Sequence, residues 1–496
     1  MRYSWIPLIS TALLVTFLGL SVDAGASEAE EHRVESEDRV RIDGENVRYQ
    51  TTAGTKILRE DDETVAEIFH VTYQRTDVRD SEDRPVLFSF NGGPGSSSVW
   101  LHLGTFGPKR IDFEDGEQPT PPPHDFVDNP YSILDKADLV FIDPVGTGYS
   151  RTIGEGKAED FLGVEEDLEY LSEFIRLWVT RNERWDSPKF LAGESYGSAR
   201  VAGLVDRLQN NEGMFFDGVA LISSILNFQT ARFEVGNDLP YPLFLPTYAA
   251  TAWYHEALEH RPDELEPFLE EVREFAETDY MTALMRGSRL DEDERREIAE
   301  QLAEYTGLDA DYILGNDLRI DMGRFNKELL RDEGRTVGRL DSRFLGRDRD
   351  DVSESYEYDP SYTAILGPYT SAMNDFLRRE LGYEKDRKYE ILSGEVGGAW
   401  NWEVAHRTGY VNKAENLRRA MSRNPHLDVF VANGYYDLAT PFYATEYTFD
   451  TMRLDDDLRD NNVRMDYYEA GHMMYIHPPS LEKLREDMAE WMEDAL

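Results

Sequence analysis

Hydrophobic and polar positions alternate along the first part of the chain, most clearly over Ala66-Glu-Ile-Phe-His-Val-Thr-Tyr73. Arg39 to Thr51, Lys56 to Leu58 and Glu63 to Tyr73 therefore read as antiparallel strands with one face toward a core. The pattern then changes to short, unbroken apolar runs at Pro85 to Phe90, Ala137 to Asp143, Lys189 to Ala192, Phe216 to Ser224 and Leu427 to Ala432. Runs of that length predict strands buried on both faces. Between them, Phe161 to Asn182 and Ser198 to Leu208 carry apolar residues at helical spacing. Strand alternating with helix predicts an α/β fold with a mostly parallel central sheet flanked by helices.

From Arg232 to Tyr389 the chain is charged and poor in strand patterns, with helical spacing over Pro262 to Thr278, Asp291 to Tyr305 and Asp309 to Leu330. This predicts an inserted helical cap over 232–390, dividing a core of 27–231 and 391–496. The aromatic stretch Leu239 to Tyr248 fits either the cap's core or a wall of a substrate site. Val463 to Glu469 reads as an edge strand and Ser480 to Leu496 as a closing amphipathic helix.

Composition narrows the partners. The 496 residues hold 98 Asp and Glu against 52 Lys and Arg, a formal net charge of -46 spread along the chain. Such a surface repels nucleic acid and anionic membranes. It also repels itself unless salt screens it, which points to a protein adapted to high salt. Arg2, the apolar run Trp5 to Val22 and the small residues Ala24-Gly-Ala26 predict a signal peptide over 1–26, with a retained anchor as the alternative. No cysteine is present, so neither disulfides nor lipid attachment through cysteine is available. A periplasmic or secreted protein without stable membrane insertion is expected. The acidic segment Ser27 to Glu37 reads as disordered.

The candidate chemistry centres on Gly193-Glu-Ser-Tyr-Gly197, a G-x-S-x-G pentapeptide between a predicted strand and a predicted helix. That context presents Ser195 at a sharp turn. Asn91-Gly-Gly-Pro94 leaves the end of an earlier strand and exposes backbone N–H groups, the usual start of an oxyanion hole. A serine nucleophile needs an imidazole and an orienting carboxylate. Only Asp437 and His472 follow consecutive late strands, each in a glycine-containing turn. His70 falls in an early strand, His406 in a helical segment, and His477 before two prolines that suggest a surface turn. Glu194, beside the serine, is placed to face the site. Gly146-Thr-Gly148 is too short for a dinucleotide fingerprint, and no H-E-x-x-H or Cys/His cluster suggests a metal.

Asn91 to Ser98, Asn129-Pro-Tyr-Ser132, Asp143 to Ser150, Gly193 to Gly197, Gly434-Tyr-Tyr-Asp437 with Pro441, and Ala470-Gly-His-Met473 together resemble the serine carboxypeptidase family, in that family's order. The likeness is greatest to its bacterial branch, with Ser96 where the eukaryotic enzymes carry cysteine. The resemblance implies an α/β-hydrolase fold, release of C-terminal residues from peptides, and no cofactor. It gives Ser195 the role of nucleophile, His472 that of general base and acid, and Asp437 that of its orienting partner. The N–H groups of Gly93 and Tyr196 become the oxyanion hole, while Asn91, Gly92 and Glu194 bind the substrate's terminal carboxylate. Glu194 is then expected to hold a proton shared with that carboxylate. One departure bears on this: the family's second Glu after the glycine motif is missing from Val99 to Thr105, where His102 stands as a residue that could alter carboxylate recognition. An esterase or acyltransferase with the same triad is the alternative activity.

Overall fold

The structure is a computed structural model that describes residues 30–61, 63–79, 83–403 and 409–496. The expected signal peptide and His406 lie outside these residues. Residues Arg33–Ile42 (β1), Glu45–Glu60 (β2) and Glu63–Arg75 (β3) form an antiparallel meander. Its first turn, Asp43-Gly44, uses positive φ at both residues, as a tight hairpin requires. The expected disorder up to Glu37 is thus corrected: Arg33 pairs with Gly54, and the pairing runs on to Ile42. Polar side chains on an edge strand are stable there because one face stays in water. Lys56 to Leu58 belongs to one long β2 and is not a separate strand.

The following strands are Val86–Phe90 (β4), Asp138–Ile142 (β5), Lys189–Glu194 (β6), Gly218–Ile222 (β7), Asp428–Gly434 (β8) and Val463–Tyr468 (β9). The sheet is ten-stranded in the order β1-β2-β3-β5-β4-β6-β7-β8-β9, with Arg151–Thr152 added along β3. From β5 to β9 all neighbours are parallel. The solid apolar runs have the cause inferred for them: every residue of β4, β5, β6 and β7 is buried. In β4, Leu87 joins the core on one face of the sheet, while Val86, Phe88 and Phe90 join the core on the other.

Helices Val164–Arg181 (α1) and Tyr196–Arg207 (α2) cover one face, where Phe174, Trp178, Val201 and Leu204 are buried. Glu165, Glu166 and Asp167 in the first turn of α1 suit the positive end of its dipole. In the region after Arg232, Pro240–Tyr254 (α3), Leu265–Phe275 (α4) and Glu292–Thr306 (α5) build a third core that includes Tyr435, Leu438 and Phe442 from beyond β8. The aromatic stretch opens α3 and does both jobs proposed for it: Leu243 and Leu245 are buried in that core, and Phe244 also lines a cavity at Ser195. The helix expected over Asp309 to Leu330 is broken into Ala310–Gly315 and Met322–Glu328, because Asp317 and Leu318 adopt positive φ between them.

Pro360–Asp375 (α6) packs against the sheet, burying Ile365, Tyr369 and Met373 in the same core as Leu87. Residues 31–496 accordingly form one compact unit. Ala414–Arg423 (α7) lies against α2, and Pro478–Asp494 (α8) closes the chain against β8. The two prolines after His477 open α8, where their missing N–H groups cost nothing, so His477 is a half-buried helix cap and not a surface turn. Among the described residues no helix is long and apolar enough to cross a membrane.

Candidate active site

β6 delivers Ser195 and α2 begins at the next residue. Ser195 holds φ 59° and ψ −128°, outside the ordinary regions for a non-glycine residue, and its N–H donates to the Ile222 carbonyl at 3.0 Å. Small neighbours make the turn possible. A Cβ on Gly193 would stand 2.1 Å from the Gly197 carbonyl oxygen, and one on Gly197 would stand 2.9 Å from the Phe90 oxygen. Gly92 is equally constrained, since a Cβ there would lie 2.6 Å from Tyr196 N and 2.9 Å from Ser195 Cβ. The loop after β4 therefore lies directly against the serine turn, where the first N–H groups of α2 have no partner within the helix. Gly93, with φ 103°, borders the cavities on both sides of Ser195.

The turns after β8 and β9 bring Asp437 and His472 together. His472 Nδ1 lies 2.7 Å from Asp437 Oδ2, and the aspartate is fully buried. The N–H groups of Ala439 and Thr440 donate to Asp437 Oδ1 at 2.8 and 3.0 Å. The Thr440 hydroxyl sits 2.6 Å from Asp437 Oδ2 and 3.1 Å from His472 Nδ1. The His472 backbone is pinned as well: its N–H donates to the Leu340 carbonyl at 2.6 Å and its carbonyl accepts from the Ser223 hydroxyl at 2.6 Å. With Nδ1–H committed to the carboxylate, Nε2 keeps a free lone pair. Burial works against a charge on His472, but the Asp437 carboxylate and its hydrogen bond, with Glu194 beyond, raise the imidazole above its ordinary value. Ser195 and His472 line one cavity; the imidazole's hydrogen bonds run to Asp437 and Thr440, not to the serine.

Glu194 is only 3% exposed, and burial lifts its carboxyl to about 7 against the opposing pull of His472 and of Tyr475. The Tyr475 hydroxyl donates to Glu194 Oε2 at 2.5 Å. Asn91 accepts from the Leu101 N–H at 3.2 Å through Oδ1, and its buried amide side chain acts on Glu194, adding to the pull that opposes burial there. Gly104, in the stretch that lacks the second carboxylate, has no room for a side chain: a Cβ there would meet Tyr475 Cε2 at 2.4 Å and the Tyr369 hydroxyl at 2.5 Å. His102 does not take its place. It is buried between Tyr73, whose hydroxyl lies 2.6 Å from Nε2, and Phe141, on which it stacks at 4.3 Å. Burial depresses its imidazole to about 3, so the role expected for it in carboxylate recognition is corrected to one in the core.

Two cavities flank Ser195. One is lined by Gly92, Trp100, Glu194, Tyr362, Leu392 and His472; the other by Tyr196, Phe228, Phe233, Phe244, Leu438 and Thr440. All eight residues singled out from the sequence fall in this neighbourhood: Ser195, His472, Glu194, Gly92, Gly93 and Tyr196 at the cavity walls, and Asn91 and Asp437 buried behind them. Sequence reasoning missed Thr440, Tyr475 and Arg339. Thr440 lies three residues past Asp437 and could have been found as a turn-capping hydroxyl; the other two carry no local signal.

This arrangement sets a serine on the same cavity as an imidazole that is hydrogen-bonded to a buried acid. Comparison with known proteins places the chain in a family. The serine carboxypeptidase family model matches residues 50–477. The chain is 29% identical over 170 residues to "Serine carboxypeptidase-like 13" of Arabidopsis thaliana, covering 33% of this chain and 37% of that protein. It is 31% identical over 139 residues to "Serine carboxypeptidase ctsa-3.1" of Caenorhabditis elegans, covering 27% of this chain and 22% of that one. The alignments thus span well under two thirds of these curated relatives' length. Among solved structures, Kex1(delta)p, a prohormone-processing carboxypeptidase from Saccharomyces cerevisiae, matches the fold with a TM-score of 0.57 at 16% identity, over 90% of this chain and 92% of that one.

Proposed function

The chain belongs to the serine carboxypeptidase family, and we propose that it is an exported enzyme that removes C-terminal residues from peptides through an acyl-enzyme on Ser195. The observation that carries this reading is the hydrogen-bonded His472–Asp437 pair at 2.7 Å opening onto the cavity that also holds Ser195 and Glu194.

In this mechanism His472 Nε2 takes the Ser195 proton as the hydroxyl oxygen attacks the scissile carbonyl. Asp437 holds the imidazole in the needed tautomer and balances the imidazolium. The N–H groups of Gly93 and Tyr196 receive the oxyanion, each worth on the order of 3 kcal/mol of barrier. The imidazolium protonates the leaving amine, and water then repeats the sequence to free the acid. Asn91, Gly92 and protonated Glu194 bind the terminal carboxylate, which selects the last peptide bond. Export follows from the expected targeting segment, and the charge of -46 supports life in high salt.

Labelling by a fluorophosphonate, lost in Ser195→Ala, tests the nucleophile. A blocked dipeptide and its C-terminal amide test the exopeptidase claim: the free acid should be cleaved far faster. Equal rates on the two would remove that claim, and turnover of simple esters alone would favour an esterase or acyltransferase.

A further inference from the structure

The net charge makes one feature of the site unexpected. In a chain with 98 acids and 52 Lys and Arg, the cavity of about 250 Å³ beside Ser195 that includes Phe228 and Phe244 is lined by two arginines, Arg232 and Arg339, and by no carboxylate among the described residues. Both guanidiniums have donors to spare. Arg232 lies over the Phe228 ring at 5.8 Å and the Trp402 ring at 5.5 Å, cation–π contacts that use up none of its N–H groups. Arg339 has Asp359 as its charged neighbour, with Nε 3.7 Å from Oδ2, beyond hydrogen-bond length. The other oxygen of Asp359 already accepts from the N–H groups of Arg339 and Ser361 and from the Ser361 hydroxyl. The cavity on the other side of Ser195 shares Arg339 but holds Glu194 and no second arginine, so Arg232 is what distinguishes this side.

We propose that this cavity takes an acidic side chain, glutamate above all, on the residue preceding the scissile bond. This deepens the carboxypeptidase reading and rests on it for direction: Glu194 and Gly92 mark the leaving-residue side, which leaves the arginine-lined cavity to the acyl side. The methylene stem of glutamate lies against Phe228, Phe233 and Phe244, while its carboxylate reaches charge-assisted hydrogen bonds from Arg232 and Arg339. A lysine there meets two like charges.

The experiment compares blocked dipeptides ending in phenylalanine and differing only in the preceding residue: Glu, Gln, Leu or Lys. Release of phenylalanine gives kcat/KM at moderate and at tenfold higher salt. Glu should exceed its isostere Gln by roughly tenfold, with Lys the poorest, and the Glu/Gln ratio should shrink as salt screens the pair. In the double variant Arg232→Gln, Arg339→Gln the ratio should fall to near one. A Gln substrate equal to or better than Glu in the natural protein, or a ratio that survives the double substitution, overturns the proposal. The same peptides are also titrated against Ser195→Ala. If no peptide loses its last residue, the carboxypeptidase reading fails, and the binding ratio decides the acidic preference: tighter Glu upholds it, equal Glu and Gln ends it.

Discussion

The Tyr475 hydroxyl donates a 2.5 Å hydrogen bond to Glu194, and both side chains are buried. A donor to the ionised form pulls a carboxyl's pKa down, so Tyr475 offsets part of the rise that burial imposes. Tyr475→Phe should therefore move the pH midpoint of peptide KM upward. It should also raise KM several-fold by leaving Glu194 less firmly placed, with kcat little changed. A variant whose KM rises at all pH values with no shift in midpoint would assign Tyr475 a packing role alone.

Peptide binding should weaken above neutrality. With its carboxyl lifted to about 7, Glu194 donates to a substrate carboxylate below that pH and repels it above. On the acid side, activity should fall as His472, raised above its ordinary value, becomes protonated and stops acting as a base. A bell-shaped kcat/KM profile results. Glu194→Gln cannot ionise, so its KM should stay flat through pH 7 while the acid limb remains; KM and kcat measured across pH check the two limbs separately.

Thr440 stands between acid and base, 2.6 Å from Asp437 Oδ2 and 3.1 Å from His472 Nδ1. Thr440→Val removes that hydroxyl at nearly constant volume and should lower kcat by roughly tenfold, the worth of about 1.4 kcal/mol. Thr440→Ser should recover most of it. Equal kcat for the Val and Ser variants would show that the hydroxyl plays no part.

Arg200 ties the serine helix to the glycine loop from beneath. It bonds Asp167 Oδ2 at 2.6 Å and the Asn91 carbonyl at 2.5 Å, and both charged side chains are fully buried. Arg200→Met leaves Asp167 without a counter-charge and should cost about 3–5 kcal/mol near neutral pH. Burial already pushes the Asp167 carboxyl up, and without Arg200 it rises further, so the penalty should shrink as pH falls and the carboxyl is protonated. Denaturant unfolding at neutral and acid pH reads this directly.

Stability should also climb with salt. At a net charge of -46, self-repulsion is strongest where the Debye length is longest, about 30 Å at 0.01 M and 3 Å at 1 M. A thermal midpoint that does not move between those conditions would remove the case for salt adaptation.

The segments that become the parallel strands, the place of the serine turn, and the two turns that carry Asp437 and His472 are all legible in the chain. Those features are local: a solid apolar run means a strand covered on both faces, and G-x-S-x-G between strand and helix leaves few other conformations. Local composition misleads most up to Glu37, where polar side chains hide a backbone pairing that begins with Arg33 opposite Gly54. That pairing depends on β2, which supplies the partner groups from outside the segment.

What surrounds those turns is set by packing between distant segments. Which groups answer Glu194 depends on α6 and the turn after β9 folding back onto Gly104, a meeting of Tyr369 and Tyr475 that no local pattern encodes. His102 is close in sequence to the glycine loop yet faces Tyr73 and Phe141 in the core, because the helical turn carrying it points that side chain away from Ser195. Arg339 reaches the cavities only because the segment that carries it returns beside His472, where the Leu340 carbonyl accepts the His472 N–H. Local backbone preferences act over a few residues and can be read from the chain, whereas the charge and shape of a cavity are set by side chains far apart in sequence and exist only once the core has packed.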